Sequence, residues 1–101
     1  MSITIRAPFT LEPIALSTSY IGGNAEYEIH GARRIYVGLT DSGALVAGVA
    51  KVRWAHGGSV EIPIPADNML PLDDGGGGEL PVIRLDIKAA SGTPNLVLMA
   101  L

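Results

Sequence analysis

The chain has 101 residues, of which 48% are hydrophobic and 17% charged, and its formal net charge is −3. That balance fits one domain with a modest core and is too apolar for a disordered chain. Two lysines and five arginines, scattered from Arg6 to Lys88, make no basic stripe, so nucleic acid is not an expected partner.

Cysteine is absent, so the fold is expected to form without disulfides, and the redox compartment stays open. No apolar run approaches the ~20 residues that cross a membrane as a helix, so no membrane partner is expected. Met1 to Arg6 lacks the basic-then-apolar order of a secretory signal, and a soluble protein is the expectation. Thirteen glycines and seven prolines cut the chain into short pieces. No stretch keeps helical spacing over successive turns, whereas short Val, Ile and Leu runs between Gly, Pro, Asn and Asp read as strands.

In chain order, Ile3 to Ala7 alternates and stops at Pro8, which predicts a first strand at a sheet edge. Ile14 to Ser17 reads as a short strand after Pro13, and residues 1–20 together as a possible arm. Gly22-Gly23-Asn24 is a turn signal. Glu26 to His30 alternates, Gly31 interrupts it as a bulge or tight turn, and Ile35 to Leu39 resumes. Thr40-Asp41-Ser42-Gly43 has the composition of a hairpin loop. Ala44 to Ala50 is apolar on both faces and predicts a central strand covered above and below. Lys51 to Trp54 returns to alternation, with Val52 and Trp54 facing in.

The next connection is constrained by parity. A two-residue loop at Gly57-Gly58 would set Trp54 opposite Glu61. A three-residue loop, Gly57 to Ser59, would pair Trp54 with Ile62 and Val52 with Ile64. Because a slip of one residue reverses every face, the three-residue loop is expected, with a glycine in the left-handed region. Pro63 and Pro65 then mark an edge. Residues 66–81, with Gly75 to Gly78 in a row, read as a mobile loop.

Val82 to Ala90 is the clearest strand, with Ile83, Leu85, Ile87 and Ala89 on one face and Arg84, Asp86 and Lys88 on the other. Ser91 to Pro94 turns the chain into a final apolar run. A run so apolar would fray in water unless held in a sheet. Its faces are Leu96, Leu98 and Ala100 against Val97, Met99 and Leu101; one can fill the core and the other needs a second layer or a neighbouring subunit. Leu96, Val97, Leu98, Met99 and Leu101 are therefore the candidate interface. Residues 1–101 together predict a single all-β domain, an antiparallel β-sandwich or jelly-roll-like barrel of about seven to eight short strands.

Motifs for chemistry are missing. His30 and His56 lack the spacing of a zinc site, and His56 beside two glycines reads as a turn residue. Asp67, Asp73, Asp74 and Glu79 lack the Asp/Asn alternation and closing Glu of a calcium loop. The glycine run is followed by Pro81 and a strand, where a phosphate-binding loop needs a helix. No Gly-x-Ser-x-Gly elbow exists. No catalytic residue, metal or cofactor is assigned, and the expectation is a protein that is not an enzyme. Arg33-Arg34 beside Tyr36 offers an anion or carbohydrate contact, while Trp54, in phase with Val52, reads as core.

A cysteine-free β domain of this length, with the Thr40-Asp41-Ser42-Gly43 hairpin, resembles small virion structural proteins of tailed bacteriophages. The final strand pair, Arg84-Leu85-Asp86-Ile87-Lys88-Ala89-Ala90-Ser91-Gly92-Thr93-Pro94-Asn95-Leu96-Val97-Leu98-Met99, adds to the likeness. The resemblance is one of pattern over most of the chain and carries no functional residues across. It implies capsid decoration or cement, or a head- or tail-associated role. It also implies a symmetric homo-oligomer, a trimer favoured, seated on a larger capsid or tail protein in a virion assembled in the host cytoplasm. A carbohydrate- or ligand-binding β-sandwich module is the alternative; it would expose Trp54, Tyr36 or Tyr27 beside polar partners.

Overall fold

Alternation of apolar and polar residues makes strands, and every regular element among the described residues of the computed structural model is one. The structure describes residues 2–10, 14–18, 26–54, 57–73, 75–76 and 78–101. In chain order these strands are β1 (Ser2–Arg6), β2 (Phe9–Thr10), β3 (Ile14–Ala15), β4 (Glu26–His30), β5 (Arg34–Asp41) and β6 (Ala44–Val46). They continue with β7 (Gly48–Trp54), β8 (Ser59–Ile64), β9 (Leu70–Asp73), β10 (Ile83–Ala89) and β11 (Asn95–Ala100). The first sheet has the order β1-β4-β10-β7-β8. The second has the order β2-β11-β5-β6, with β3 also on β11 and β9 also on β5. The two pack as a sandwich and do not close into a barrel. All pairings are antiparallel except β1 with β4, which is parallel.

The core lies between the sheets. Ile29, Val52, Ile83, Leu85 and Ile87 come from the first sheet, and Ile35, Val37, Leu39, Leu96 and Leu98 from the second, each 0–1% exposed. Burial of such side chains contributes roughly 1.5–3 kcal/mol apiece before the entropy of ordering is subtracted. The alternation of β10 and β11 that predicts these faces is the alternation observed.

Several expectations need correction. Ala44 to Ala50 is two strands: β6 belongs to the second sheet and β7 to the first. The run is apolar on both faces because it serves two sheets in turn. Gly48 makes the passage possible. A Cβ there would overlap Leu39 Cδ1 and lie 2.6 Å from the Lys88 carbonyl oxygen. The strand β7 is central, between β10 and β8.

The register of β7 and β8 also differs. Ile62 faces Ala50 and Ile64 faces Gly48, so neither Trp54–Ile62 nor Trp54–Glu61 forms. The displacement is even, so inward residues stay inward. Gly57 and Gly58 both take the left-handed conformation, at φ 91° and 80°, and the Gly57 N–H donates to the Trp54 carbonyl at 3.1 Å. The Ser42-Gly43 turn has both φ values positive, 52° and 82°, the conformation a two-residue hairpin between β5 and β6 requires.

Residues 66–81 are not simply a loop. They contain β9, whose Leu72 and Leu70 face Ile35 and Val37 of β5 across the ladder. Leu72 and Leu80 are buried, and the Leu80 N–H donates to the Ala32 carbonyl at 2.7 Å. Residues 1–20 likewise do not stand apart as an arm where they are described. Ile5 and Leu16 sit in the core, β1 lies on β4, and β2 and β3 lie on β11. The turn signal Gly22-Gly23-Asn24 and His56 fall outside the described residues.

Candidate functional site

Each sheet has one face in the core and one turned outward, and the two outward faces differ in chemistry. On the first sheet the outward positions include Glu28 and His30 of β4, Arg84, Asp86 and Lys88 of β10, and Val49, Lys51 and Arg53 of β7, mostly charged. Glu28 and Arg84 are direct cross-strand partners, and Arg84 Nε donates to Glu28 Oε2 at 3.1 Å. His30 Nε2 lies 2.7 Å from Glu28 Oε1. The hydrogen bonds from His30 and Arg84, in that order, hold the Glu28 carboxyl below the ordinary glutamate range. Asp86, on the central strand, is buried and stands opposite Lys51, which in turn stands opposite Glu61 on β8. Opposite charges thus face each other at Glu28–Arg84 and across Asp86, Lys51 and Glu61, while Arg84 and Arg53 stand opposite one another as like charges.

The outward face of the second sheet is built differently. Val97 of β11 stands opposite Gly38 of β5, and Met99 opposite Tyr36, which faces Pro71 of β9 on its other side. Gly38 leaves a dent in the sheet. A Cβ there would lie 3.2 Å from Met69 Cγ and 3.4 Å from Leu45 Cδ2, so those two side chains lie over the glycine. Val97, Met99, Tyr36, Leu45 and Met69 are all half-buried. They form an apolar strip across three adjoining lanes of the sheet. At one end Arg34 makes a polar rim: its Nη1 donates to Tyr36 Oη at 3.1 Å and its Nε lies 3.2 Å from Asp73 Oδ2.

The candidate interface residues of the last strand therefore divide. Leu96 and Leu98 fill the core, so they are unavailable to a neighbour while the sandwich is closed. Val97 and Met99 lie on the outward strip. Leu101 is 55% exposed just past β11, where its backbone N–H donates to the Arg34 carbonyl and its carbonyl accepts from Arg33 N–H. Tyr36, expected as an anion or carbohydrate contact beside Arg34, belongs to the same strip, as do Gly38, Leu45 and Met69, which no motif marks. Gly38, set in the apolar run of β5, is the one signal that points to them: a strand glycine often marks a close approach. Met69 is concealed by its place beside the glycine-rich segment.

Among the described residues, no three His, Cys, Asp or Glu side chains gather as a metal site, and no pocket opens. Tyr27 is buried, and Trp54 packs partly buried against the core. What the outward strip offers is adaptable apolar contact with a polar rim. The chain has no significant match to any protein-family model, curated protein or solved structure.

Proposed function

We propose that this chain is a non-enzymatic structural component of a phage particle, a capsid decoration or cement protein or a head–tail accessory, working through repeated protein–protein contacts. The observation that carries the reading is the strip Val97, Met99, Tyr36, Leu45 and Met69 laid over Gly38 on the outward face of the second sheet. Outward-facing polar residues would serve a monomer better there, as they do on the first sheet. Two methionines suit a contact surface, because the flexible thioether fits irregular partners. An apolar centre with a polar rim at Arg34 and Asp73 is the general anatomy of a protein–protein interface. The likeness of the Thr40–Gly43 hairpin and the closing strand pair to small virion proteins supplies the phage setting.

The rival reading, a carbohydrate-binding module, needs an exposed aromatic platform. Tyr27 and Trp54 are engaged with the core; Tyr36 does lie outward beside a polar partner, its hydroxyl accepting from Arg34, but it is half-buried within the strip. The assembly reading accounts for more of the surface.

Light scattering over a concentration series tests it. A discrete closed oligomer, a trimer on the strength of the resemblance, is expected for the native chain. Val97→Lys should reduce its mass to smaller species while keeping one cooperative thermal transition, its midpoint falling only as far as the native chain's does on dilution, since the side chain leaves the core untouched. A native chain that remains monomeric at every concentration would overturn the reading.

A further inference from the structure

The first sheet has two edges, β1 and β8, and they are finished differently. The Ala90 N–H donates to the Ala47 carbonyl at 3.3 Å, one step beyond the Ala89–Gly48 pair. Ala47 thus turns its backbone groups toward β10, as do Val49, Lys51 and Arg53 two, four and six residues on. Gly48, Ala50 and Val52 turn theirs toward β8, where they meet Ile64, Ile62 and Val60. Ser59, Glu61 and Pro63 are then left facing the open side. Pro63 has no N–H to offer, so this edge is guarded.

The β1 edge is finished in the opposite way. The Ala7 N–H donates to the His30 carbonyl at 3.0 Å and continues the parallel ladder. Ile3 and Ile5 therefore turn their backbone groups to β4, and Ser2, Thr4 and Arg6 turn theirs outward. No proline interrupts that side, and no described strand lies along it. Ile3 shares the core-facing side of β1 with Ile5, yet Ile3 is 45% exposed and Ile5 is 3%. The other open edges are poor templates: β2 and β3 have two residues each, β6 has three, and β9 carries Pro71.

We propose that the open edge of β1 pairs with β1 of a second copy, antiparallel about a two-fold axis at Thr4. The second copy is the fitting occupant because β1 is complementary to itself in this register. Thr4 meets the partner's Thr4, and Ser2 meets the partner's Arg6. Every residue with free backbone groups therefore meets another, and each such pair exchanges both N–H···O bonds. A shift of one residue would set open-edge residues against ones already bonded to β4. Ile3 then stands opposite the partner's Ile5 in the closer, non-hydrogen-bonded type of pair; because Ile5 is already buried, the partner's strand backbone supplies the new cover for Ile3. The two copies share one continuous sheet, an isologous contact. It is distinct from the strip on the second sheet, and it would join the closed oligomers made through that strip to one another as concentration rises.

Hydrogen exchange at single-residue resolution, over a concentration series, tests the pairing. In the native chain the Thr4 and Arg6 amides should gain protection as concentration rises, while Ile5 and Ala7 are protected throughout. Thr4→Pro removes an outward N–H that the monomer does not use, so it should fold, lose the concentration-dependent protection at Arg6, and lose the two-fold species in sedimentation. If Thr4→Pro does not fold, Ile3→Lys serves the same purpose, by placing like charges near each other across the axis. Val97→Lys should leave the β1 protection intact while removing the contact of the second sheet, so the two proposals fail separately. Thr4 and Arg6 amides that exchange freely at all concentrations in the native chain would overturn the β1 pairing.

Discussion

Gly48 sits where the chain leaves the second sheet for the first, against Leu39 and the Lys88 carbonyl. A methyl group there meets backbone, which cannot move aside without disturbing β10. Gly48→Ala is expected to cost about 3 kcal/mol by overpacking, read as a lower denaturant midpoint with an unchanged slope. Gly38 faces the flexible Met69 side chain instead, so its neighbours can give way. At Glu28 the consequence is a pH dependence. The folded-state pKa lies below the ordinary value, so the contribution of Glu28 is fully present above the ordinary carboxylate range. It is lost as pH falls through the folded value, when the carboxylate that accepts from Arg84 and His30 becomes protonated. Glu28→Gln should flatten that part of the stability-versus-pH curve. An identical acid limb in the native chain and the variant would show that other carboxylates govern it.

Among the elements, those with long, clean alternation are legible in the sequence. The inward and outward faces of β10 and β11 follow from it directly, and so do Val97 and Met99 of the candidate site. Three features are not legible, each for a physical reason. Parity separates odd slips from even ones, so it fixes which face of β8 is inward and leaves open whether Ile62 meets Trp54 or Ala50. An apolar run with no polar face reads the same whether it is one buried strand or two strands in different sheets, so the break at Ala47 is silent. And β9, with Pro65 before it and Gly75 after it, is too short to declare itself. What makes it a strand is the open side of β5, where Ile35 and Val37 need the cover that Leu72 and Leu70 give. Leu45 and Met69 are hidden with it, since only folding brings them over Gly38.

As a whole the molecule is two-faced. One sheet presents a mostly charged outward face, and the other presents an apolar strip with a polar rim. The chain passes repeatedly between the sheets, so most contacts join residues distant in sequence, a topology that folds slowly. The strand made last of those described holds the centre of the second sheet: β5 pairs with it on one side, and β2 and β3 on the other. A chain ending at Pro94 would leave β2 and β3 with no ladder and the core without Leu96 and Leu98. Residues 1–94 are expected to lack a cooperative thermal transition and to be rapidly digested by protease. On the ribosome the same arrangement acts as a clock. The outward strip lacks Val97 and Met99 until Asn95–Ala100 has been synthesised and threaded between its neighbours, so a half-made copy presents only the Tyr36, Leu45 and Met69 part of it.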